Sequence, residues 1–221
     1  SSDAWQASMT VPELSFLPGT QTISKGEICR KFLHMTPGLL PFLFAPLRLH
    51  PDPLDATSLA VVVLVCAVLT LVFLALRPVV RRPGERNFLS TTLSYPASIL
   101  AVLLLFPGRP EFAMVVVVVL AFGDGSAWLA GRLFGRRRLP WNPEKTWVGS
   151  TAFVCCSAPL AALAFWLEAR PPVSFPQALV CGLAAALAGA AAESLPSQIT
   201  DNARVGVAAG VAVAVTGLLV A

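Results

Sequence analysis

The stretch that decides the fold runs from Phe112 to Ser150 and reads FAMVVVVVLAFGDGSAWLAGRLFGRRRLPWNPEKTWVGS. The residues from Phe112 to Phe122 carry no charge, and Asp124 then follows between two glycines. A carboxylate at the end of such an apolar run is costly to place in lipid, and by default it marks a functional site. Several arginines and then Lys145 come after it. One carboxylate followed by a run of cations predicts a metal ion and a phosphorylated substrate.

The composition of the whole chain is that of a membrane protein. It is 56% hydrophobic and 13% charged over 221 residues, with a mean hydropathy of +0.73, whereas a soluble domain is about 25% charged. A membrane-spanning helix needs about 20 apolar residues. The apolar runs predict seven spans, over 32–47, 57–76, 91–106, 112–134, 149–167, 176–192 and 205–220. The predicted fold class is therefore all-α, a polytopic integral membrane protein with about seven transmembrane helices.

The placement of the basic residues predicts the orientation. If the spans alternate, thirteen of the sixteen Lys and Arg residues lie on the side that holds the loops after spans two, four and six. The positive-inside rule puts that side in the cytosol. The motifs described below fall on the same side, so the site is predicted to face the cytoplasm. Because this topology explains the net charge of +4, no binding of nucleic acid is predicted.

A polar face is predicted on the first helix. Ser24 to Glu27 has the S-x-x-E form of a capping box, so a helix is expected to begin there. Glu27, Arg30, Lys31 and His34 then share one face of it at helical spacing. Two interpretations are open. Either Glu27 caps the helix and pairs with Lys31 while Arg30 lies at lipid headgroups, or this face borders a site at the membrane surface.

Asp124 lies within a stripe of small residues. The stripe recurs every four positions, at Gly123, Ala127, Gly131 and Gly135. Such a stripe lets another helix approach closely, so the glycines by themselves indicate packing. Packing does not need a carboxylate. We interpret Asp124 as a ligand of Mg²⁺, which takes one or two carboxylates and completes its shell with water and phosphates; the alternative is a buried ion pair with Arg132.

The segment from Asn142 to Trp147 is predicted to open the helix after the basic loop. Pro143 suits a first helical turn, with Asn142 as its cap. Lys145 and free backbone N–H groups would then lie at a helix N-terminus, which is a natural anion site. The arginines from Arg136 to Arg138 either bind phosphates or anchor the loop.

Two further carboxylates lie where the last two spans meet. Glu193 ends the Ala-rich sixth span, and Asp201 precedes the seventh. Either Asp201 or Asn202 is a candidate cap of that last helix. Glu193 has no such structural role at the end of an apolar span. Asp124, Glu193 and Asp201 are therefore predicted to converge on one metal–phosphate site.

Four motifs in this order resemble a known family. They are EICRKFLH at Glu27–His34, GDGSAWLAGRLFG, NPEKTWVGS, and ESLP followed by TDN. Together they are similar to the phytol kinase, farnesol kinase and dolichol kinase group, which are polytopic membrane enzymes that use CTP to phosphorylate lipid alcohols. The first motif also resembles the yeast-type CTP-dependent diacylglycerol kinase.

The resemblance implies a CTP-dependent kinase that transfers the γ-phosphate to the hydroxyl of a membrane lipid alcohol: phytol, farnesol, a polyprenol or diacylglycerol. It implies Mg²⁺ as cofactor, bound by Asp124, Glu193 and Asp201, and CTP as phosphoryl donor. The catalytic residues would be Asp124, Lys145, Glu193 and Asp201. The residues expected to bind CTP are Lys145, Asn142, Arg132, Arg136, Asn202, Arg30 and Lys31. Glu144 departs from the motif, since it adds a negative charge beside the expected phosphates.

A second resemblance gives the alternative function. The D-G-S-A-W and P-E-K-T-W-V-G patterns also resemble phosphatidate cytidylyltransferase, the CDP-diacylglycerol synthase, which transfers a cytidylyl group to a lipid phosphate. The longer C-terminal signature of that family, with a G-H-G-G-x-x-D-R-x-D run, is missing here. A third class, a transporter or membrane scaffold, is disfavoured because the polar residues cluster at one membrane face rather than at the midplane.

The remaining sequence adds domain boundaries. Residues 1–23 are predicted to form an N-terminal tail, either lying on the membrane surface through Trp5 and Phe16 or loosely ordered. Residues 24–221 are predicted to form a single transmembrane catalytic domain. The five cysteines form no CxxC pair, so neither a zinc site nor a disulfide framework is predicted.

Overall fold

The chain folds mainly into helices. The computed structural model describes residues 25–44, 51, 54–81, 85 and 87–220. The α-helices are α1 (Lys25–Met35), α2 (Leu40–Phe44), α3 (Ala56–Ala75), α4 (Arg77–Val80), α5 (Phe88–Leu105), α6 (Pro110–Val118), α7 (Asp124–Phe134), α8 (Trp147–Glu168), α9 (Phe175–Ser194) and α10 (Asp201–Val220). A 3-10 turn, Thr36–Leu39, joins α1 to α2, and a π-helical segment, Val119–Gly123, joins α6 to α7. The short strands β1 (Arg138–Leu139) and β2 (Asn142–Thr146) form an antiparallel hairpin.

The described part of the chain contains six helices that are long and apolar enough to cross a membrane. They are α3, α5, the continuous helix Pro110–Phe134, α8, α9 and α10, which correspond to the second through seventh predicted spans. The first predicted span, 32–47, is described only as far as Phe44, and its described part is interrupted by the 3-10 turn. Seven spans therefore stay a prediction. The predicted tail, 1–23, lies outside the described residues.

The helices from α6 to α10 form a tightly packed bundle. The continuous helix α6–α7 lies in its interior, with 67% of its most apolar window buried. Small residues bring α8 and α9 close together: a Cβ added to Gly182 would lie 2.4 Å from the backbone nitrogen of Ala162. The small stripe on α7 acts in the same way, since a Cβ on Gly123 would lie 2.4 Å from the ring of Phe153. The packing role predicted for the stripe is confirmed.

Helix α3 packs differently from the bundle. None of its residues is buried, although all of them are apolar or small enough for a span. Its main contacts are with α4 and α5. At its N-terminus, Asp55 accepts a hydrogen bond from the backbone N–H of Ser58 at 2.7 Å, which satisfies one of the free donors at a helix start.

The segment from Asn142 to Thr146 is not the start of a helix, and that prediction was wrong. It is extended, with Thr146 paired to Arg138 of β1. The side chain of Asn142 accepts a hydrogen bond from the N–H of Glu144 at 3.1 Å, a local bond that competes with helix formation. Helix α8 begins at Trp147 instead, and Thr146 is its cap, accepting from Gly149 N–H at 3.0 Å.

Candidate active site

Asp124 is presented by the π-helical segment that precedes it. Single π turns inside α-helices are frequent at functional sites, and this one ends directly before Asp124. Lys31 Nζ lies 2.6 Å from Asp124 Oδ2, and His34 Nε2 lies 3.4 Å from the same oxygen. His34 Nε2 is also 3.2 Å from the carbonyl oxygen of Leu120 within the π turn. The polar face of α1 therefore lies against Asp124.

Arg132 is not the ionic partner of Asp124. Its guanidinium lies 3.2 Å from Glu27 Oε2, on α1. Glu27 also accepts a hydrogen bond from Trp128 Nε1 at 3.2 Å. One carboxylate thus ties α1 to α7 and holds Lys31 in place beside Asp124. The sequence left two interpretations of Glu27 open, a helix cap or part of a polar face that borders the site, and it contained no signal that this residue reaches α7.

Lys145 joins the other two predicted carboxylates. Its Nζ lies 2.7 Å from Glu193 Oε1 and 2.7 Å from Asp201 Oδ2. Burial by itself lowers the pKa of Lys145, but the Glu193 and Asp201 carboxylates outweigh burial and raise that pKa above its ordinary value. Lys145 is therefore charged at neutral pH. Glu193 is 5% exposed. Burying its carboxylate would be costly without an opposite charge beside it, and Lys145 supplies that charge.

Arg204 positions Asp201, and the sequence reasoning missed it. Its guanidinium donates to Asp201 Oδ1 and to the backbone carbonyls of Ala192 and Leu195. These two carbonyls lie at the C-terminal end of α9, which carries Glu193. Arg204 therefore joins Asp201 to the end of the helix that carries Glu193. The available signal was its i,i+3 spacing from Asp201 on α10.

Asn202 fastens the start of α10 to α5. Its side-chain amide donates to the carbonyl of Thr91 at 2.9 Å, and Thr200 Oγ1 lies 3.0 Å from Ser94 Oγ. Asn202 is 7% exposed. These contacts orient the helix end that presents Asp201.

One cavity of about 1300 Å³ reaches nearly all of the predicted residues. Those that line it are Arg30, Lys31, Asp124, Arg132, Lys145, Glu193, Asp201 and Asn202. Asn142 and Arg136 do not line it. Asn142 is buried and donates to the carbonyl of Ser194 at 3.1 Å, so it fixes the hairpin to the end of α9. Arg136 is exposed.

The same cavity has an apolar limb. It continues away from the charged residues between α3, α5 and α6, where Val61, Leu69, Ile99, Leu103 and Met114 line it. The cavity therefore joins a charged end to an apolar corridor. This is the shape that a ligand with an ionic head and a hydrocarbon tail requires.

The carboxylates at the charged end of the cavity suit Mg²⁺ that is bound as a complex with a nucleotide, and not Mg²⁺ alone. Among the described residues, no three His, Cys, Asp or Glu side chains are close enough to hold a metal by themselves. Asp124 is matched with Lys31, and Glu193 and Asp201 are matched with Lys145. A magnesium nucleotide needs one or two protein carboxylates and supplies phosphate ligands itself, so this donor set suits it. Convergence of the three carboxylates on one metal stays a prediction.

Comparison with known proteins agrees with the resemblance. Residues 20–198 match the sequence profile of the cytidylyltransferase family. A probable chloroplastic phytol kinase of Triticum aestivum is 33% identical over 79% of this chain and 61% of its own length. Phytol kinase 1 of Arabidopsis thaliana is 27% identical over 59% of the chain and 45% of its own length.

A chloroplastic farnesol kinase of Arabidopsis thaliana is 25% identical over 83% of the chain and 64% of its own length. The chain spans less than two thirds of each of these relatives. No solved structure gives a significant match. Because the family profile covers most of the chain, including three of the four motifs in full, the chain belongs to the cytidylyltransferase family, within which it is similar to phytol and farnesol kinases.

Proposed function

We propose that this protein is a CTP-dependent lipid-alcohol kinase, which transfers the γ-phosphate of CTP to the hydroxyl of a membrane lipid alcohol. The observation that carries the proposal is the single cavity, which joins two lysine–carboxylate clusters to an apolar corridor. A nucleotide triphosphate suits the charged end and a lipid tail suits the corridor. The similarity to phytol and farnesol kinases supports the same assignment.

The charged end is arranged for an exchange of partners. Lys31 neutralises Asp124, and Lys145 neutralises Glu193 and Asp201. In a complex with a magnesium nucleotide, Lys31 and Lys145 would bind the phosphates, and Asp124, Glu193 and Asp201 would be available to hold the cation. The cation, when bound, neutralises the charge that develops on the transferred phosphoryl group. Each buried group keeps an opposite charge throughout, so the exchange avoids leaving an uncompensated charge.

The reaction needs positioning more than covalent chemistry. The lipid oxygen forms a bond to the γ-phosphorus, the bond from that phosphorus to the bridging oxygen breaks, and CDP leaves. A carboxylate of the site takes the hydroxyl proton. Lys31 and Lys145 are the cations placed to stabilise the phosphate oxygens, because both line the cavity.

Isotope transfer tests the proposal. Purified protein in lipid nanodiscs would be incubated with Mg²⁺, a lipid alcohol and CTP labelled at either the γ- or the α-phosphate. We expect label in the lipid product from γ-labelled CTP alone. Label from α-labelled CTP alone, with pyrophosphate released, would replace the kinase by a nucleotidyltransferase.

That second candidate is favoured by one specific observation, the match to the cytidylyltransferase profile. In such a reaction a lipid phosphate attacks the α-phosphate of CTP, as the CDP-diacylglycerol synthase resemblance implies. The same labelled nucleotides decide between the two when phosphatidate is offered in parallel with the alcohols. Transfer to phosphatidate and not to alcohols would support the second candidate.

The proposed cytoplasmic orientation has its own test. Single cysteines would be introduced into a cysteine-free variant and labelled in intact cells with a membrane-impermeant reagent. Positions in 77–89 and 136–145 should stay unlabelled, and positions in 48–56 should be labelled, because thirteen of the sixteen Lys and Arg residues lie on the side of the site. The reverse pattern would place the site outside, away from cytosolic CTP.

A further inference from the structure

His34 on α1 is a polar side chain of the cavity to which the proposed reaction gives no role. Its ring lines the cavity, and its side chain is 14% exposed. It follows Lys31 by three positions on α1, so the two side chains are neighbours on one face of that helix. The ring of Tyr95, on α5, packs edge-on against the imidazole with the ring centroids 4.7 Å apart. His34 therefore contacts both the charged end of the cavity and an aromatic residue of α5.

Tyr95 stands where the apolar limb of the cavity begins. Tyr95 and Ile99, which is one turn further on α5, both line the cavity. The hydroxyl of Tyr95 donates to the carbonyl oxygen of Val117 at 3.4 Å, so its proton is already used within the protein. A ligand with a hydrocarbon tail in the apolar limb and a polar head at the charged end would have its head group beside His34.

The two ring nitrogens of His34 have different surroundings. Nε2 lies 3.2 Å from the carbonyl oxygen of Leu120 and 3.4 Å from Asp124 Oδ2. Both of these oxygens only accept hydrogen bonds, so the proton of the neutral imidazole belongs on Nε2 and Nδ1 is the acceptor. Within the part of the chain that the structure describes, no donor is bonded to Nδ1. Nδ1 is therefore available to a ligand in the cavity.

We infer that His34 Nδ1 binds the hydroxyl of the lipid alcohol by accepting its hydrogen bond where the charged end meets the apolar limb. This contact distinguishes an alcohol from a hydrocarbon, and it holds the hydroxyl oxygen next to the residues expected to bind the phosphates. His34 acts in binding, and the transfer of the proton to a carboxylate belongs to the later chemical step. The inference rests on the proposed lipid-alcohol kinase, but the binding that it describes needs neither nucleotide nor turnover.

Nitrogen NMR of the imidazole tests the contact directly. The sequence contains two histidines, His34 and His50, so a His50→Gln variant that carries isotopically labelled histidine gives signals from one ring. This protein in nanodiscs would be titrated, without nucleotide, with phytol and farnesol and with the matching hydrocarbons in which hydrogen replaces the hydroxyl. We expect the Nδ1 signal to shift with an alcohol alone, while the Nε2 signal stays that of a protonated nitrogen. An Nδ1 signal that shifts with neither alcohol, or equally with the hydrocarbons, would overturn the inference.

A matched pair of substitutions separates the roles of the two nitrogens. His34→Gln keeps a donor that can reach Leu120 and Asp124 but removes the acceptor at Nδ1, whereas His34→Asn keeps an acceptor near Nδ1. The measurement is the ratio of the dissociation constants of hydrocarbon and alcohol in the same nanodiscs, so that partition into lipid cancels between variants. His34→Gln should lower this ratio about tenfold, as expected for loss of one hydrogen bond, and His34→Asn should keep most of it. Equal ratios in the two variants would overturn the inference.

Tyr95→Phe tests the neighbouring polar group. The change keeps a ring against His34 and removes the hydroxyl that donates to Val117. The preference for the alcohol over the hydrocarbon should stay as in the unchanged protein. If the preference is lost, the lipid hydroxyl binds Tyr95 and the assignment to His34 is wrong.

Phosphoryl transfer measured on the same preparations separates this inference from the proposed reaction. An Nδ1 shift with the alcohol and no transfer from any nucleotide would keep the hydroxyl site and remove the kinase. Transfer to the alcohol without an Nδ1 shift would keep the kinase and remove the role of His34.

Discussion

The bundle α6–α10 and helix α3 are both apolar enough to cross a membrane but pack in opposite ways. Helices α8 and α10 each pack closely against the Ala-rich helix α9, and the Pro110–Phe134 helix is mostly buried. Helix α3 is the most hydrophobic span, with a hydropathy of 3.0, yet none of its residues is buried. The comparison teaches that hydropathy measures compatibility with lipid, whereas side-chain volume decides packing.

This difference in packing matches the different roles that we propose for the two regions. The carboxylates Asp124, Glu193 and Asp201 and the cation Lys145 belong to the packed bundle and its hairpin. The apolar corridor lies where α3 leaves space. Charged groups that must meet phosphates need fixed positions, and a wall that admits a lipid must not be fixed.

The largest effect is expected from Asp124→Asn in the packed bundle. The change keeps size and hydrogen-bonding atoms but removes the charge, so turnover should fall about 10²–10³-fold, as for loss of one positioned electrostatic group. The magnesium concentration for half-maximal turnover should rise. Steady-state transfer from γ-labelled CTP would measure both.

A matched control for this change is Asp55→Asn. Asn caps a helix as well as Asp does, and Asp55 lies outside the charged end of the cavity. Turnover and magnesium dependence should therefore match the unchanged protein. Asp124→Asn with full turnover would show that this carboxylate is not part of the reaction.

Gly182→Val should break the packing of the bundle. A Cβ at Gly182 would meet backbone atoms of Ala162 and Ala158 at 2.4 and 2.7 Å, and backbone atoms cannot move aside as a flexible side chain can. Overpacking of this kind costs about 1–3 kcal/mol of the free energy of unfolding. Thermal unfolding in detergent should show a lower midpoint. An unchanged midpoint would mean that α8 and α9 are not in close contact.

Arg204→Met should act on the site through Asp201. The change removes the donor to Asp201 and to the carbonyls of Ala192 and Leu195. We expect kcat to fall about tenfold, comparable to losing one hydrogen bond to a charged group. The KM for CTP should change less than kcat. Arg204→Lys should keep part of the kcat that Arg204→Met loses. If Arg204→Met lowers the thermal midpoint and leaves kcat unchanged, the role of Arg204 is purely structural.

The smallest effect is expected on the outer face of α3. Ala67 is exposed and does not line the cavity. Ala67→Val adds carbons at a site with no packed neighbour, so the free energy of unfolding should change by less than about 0.5 kcal/mol. Its thermal midpoint compared with that of Gly182→Val measures the contrast between the two regions directly. If Ala67→Val lowered the thermal midpoint as much as Gly182→Val does, the outer face of α3 would be packed against a partner.

Many residues of the candidate site were predicted from local patterns in the sequence. The apolar runs predicted the six described spans, and Asp124 was identified because a charge is costly there. Glu193 and Asp201 were recognised as the ends of neighbouring spans, so they had to lie at one membrane face. Lys145 was selected on the basis of a predicted helix start, and that local structure was wrong, since Lys145 lies in a strand. Its role in the site stays a prediction.

The pairing of charges could not be predicted in the same way. For Asp124 the alternative to a metal ligand was an ion pair with Arg132, two turns further on the same helix. The cation beside it is instead Lys31, which is 93 positions away in sequence. Asn142 was expected to bind CTP, which stays a prediction; in the structure it joins the hairpin to the end of α9 and does not line the cavity. These outcomes depend on which helices pack together, and that depends on the sum of many contacts between distant residues.

The sequence by itself determined the membrane class and the spans that the structure describes, and it predicts the membrane face at which the charged residues gather. It could do so because the cost of burying charge in lipid and the alternation of span direction depend on each segment alone. Only the tertiary structure decided the ionic partners, the π turn before Asp124, the role of Arg204 and the open corridor beside α3. Each of these depends on side-chain volumes at contacts between helices, and a single segment does not contain that information.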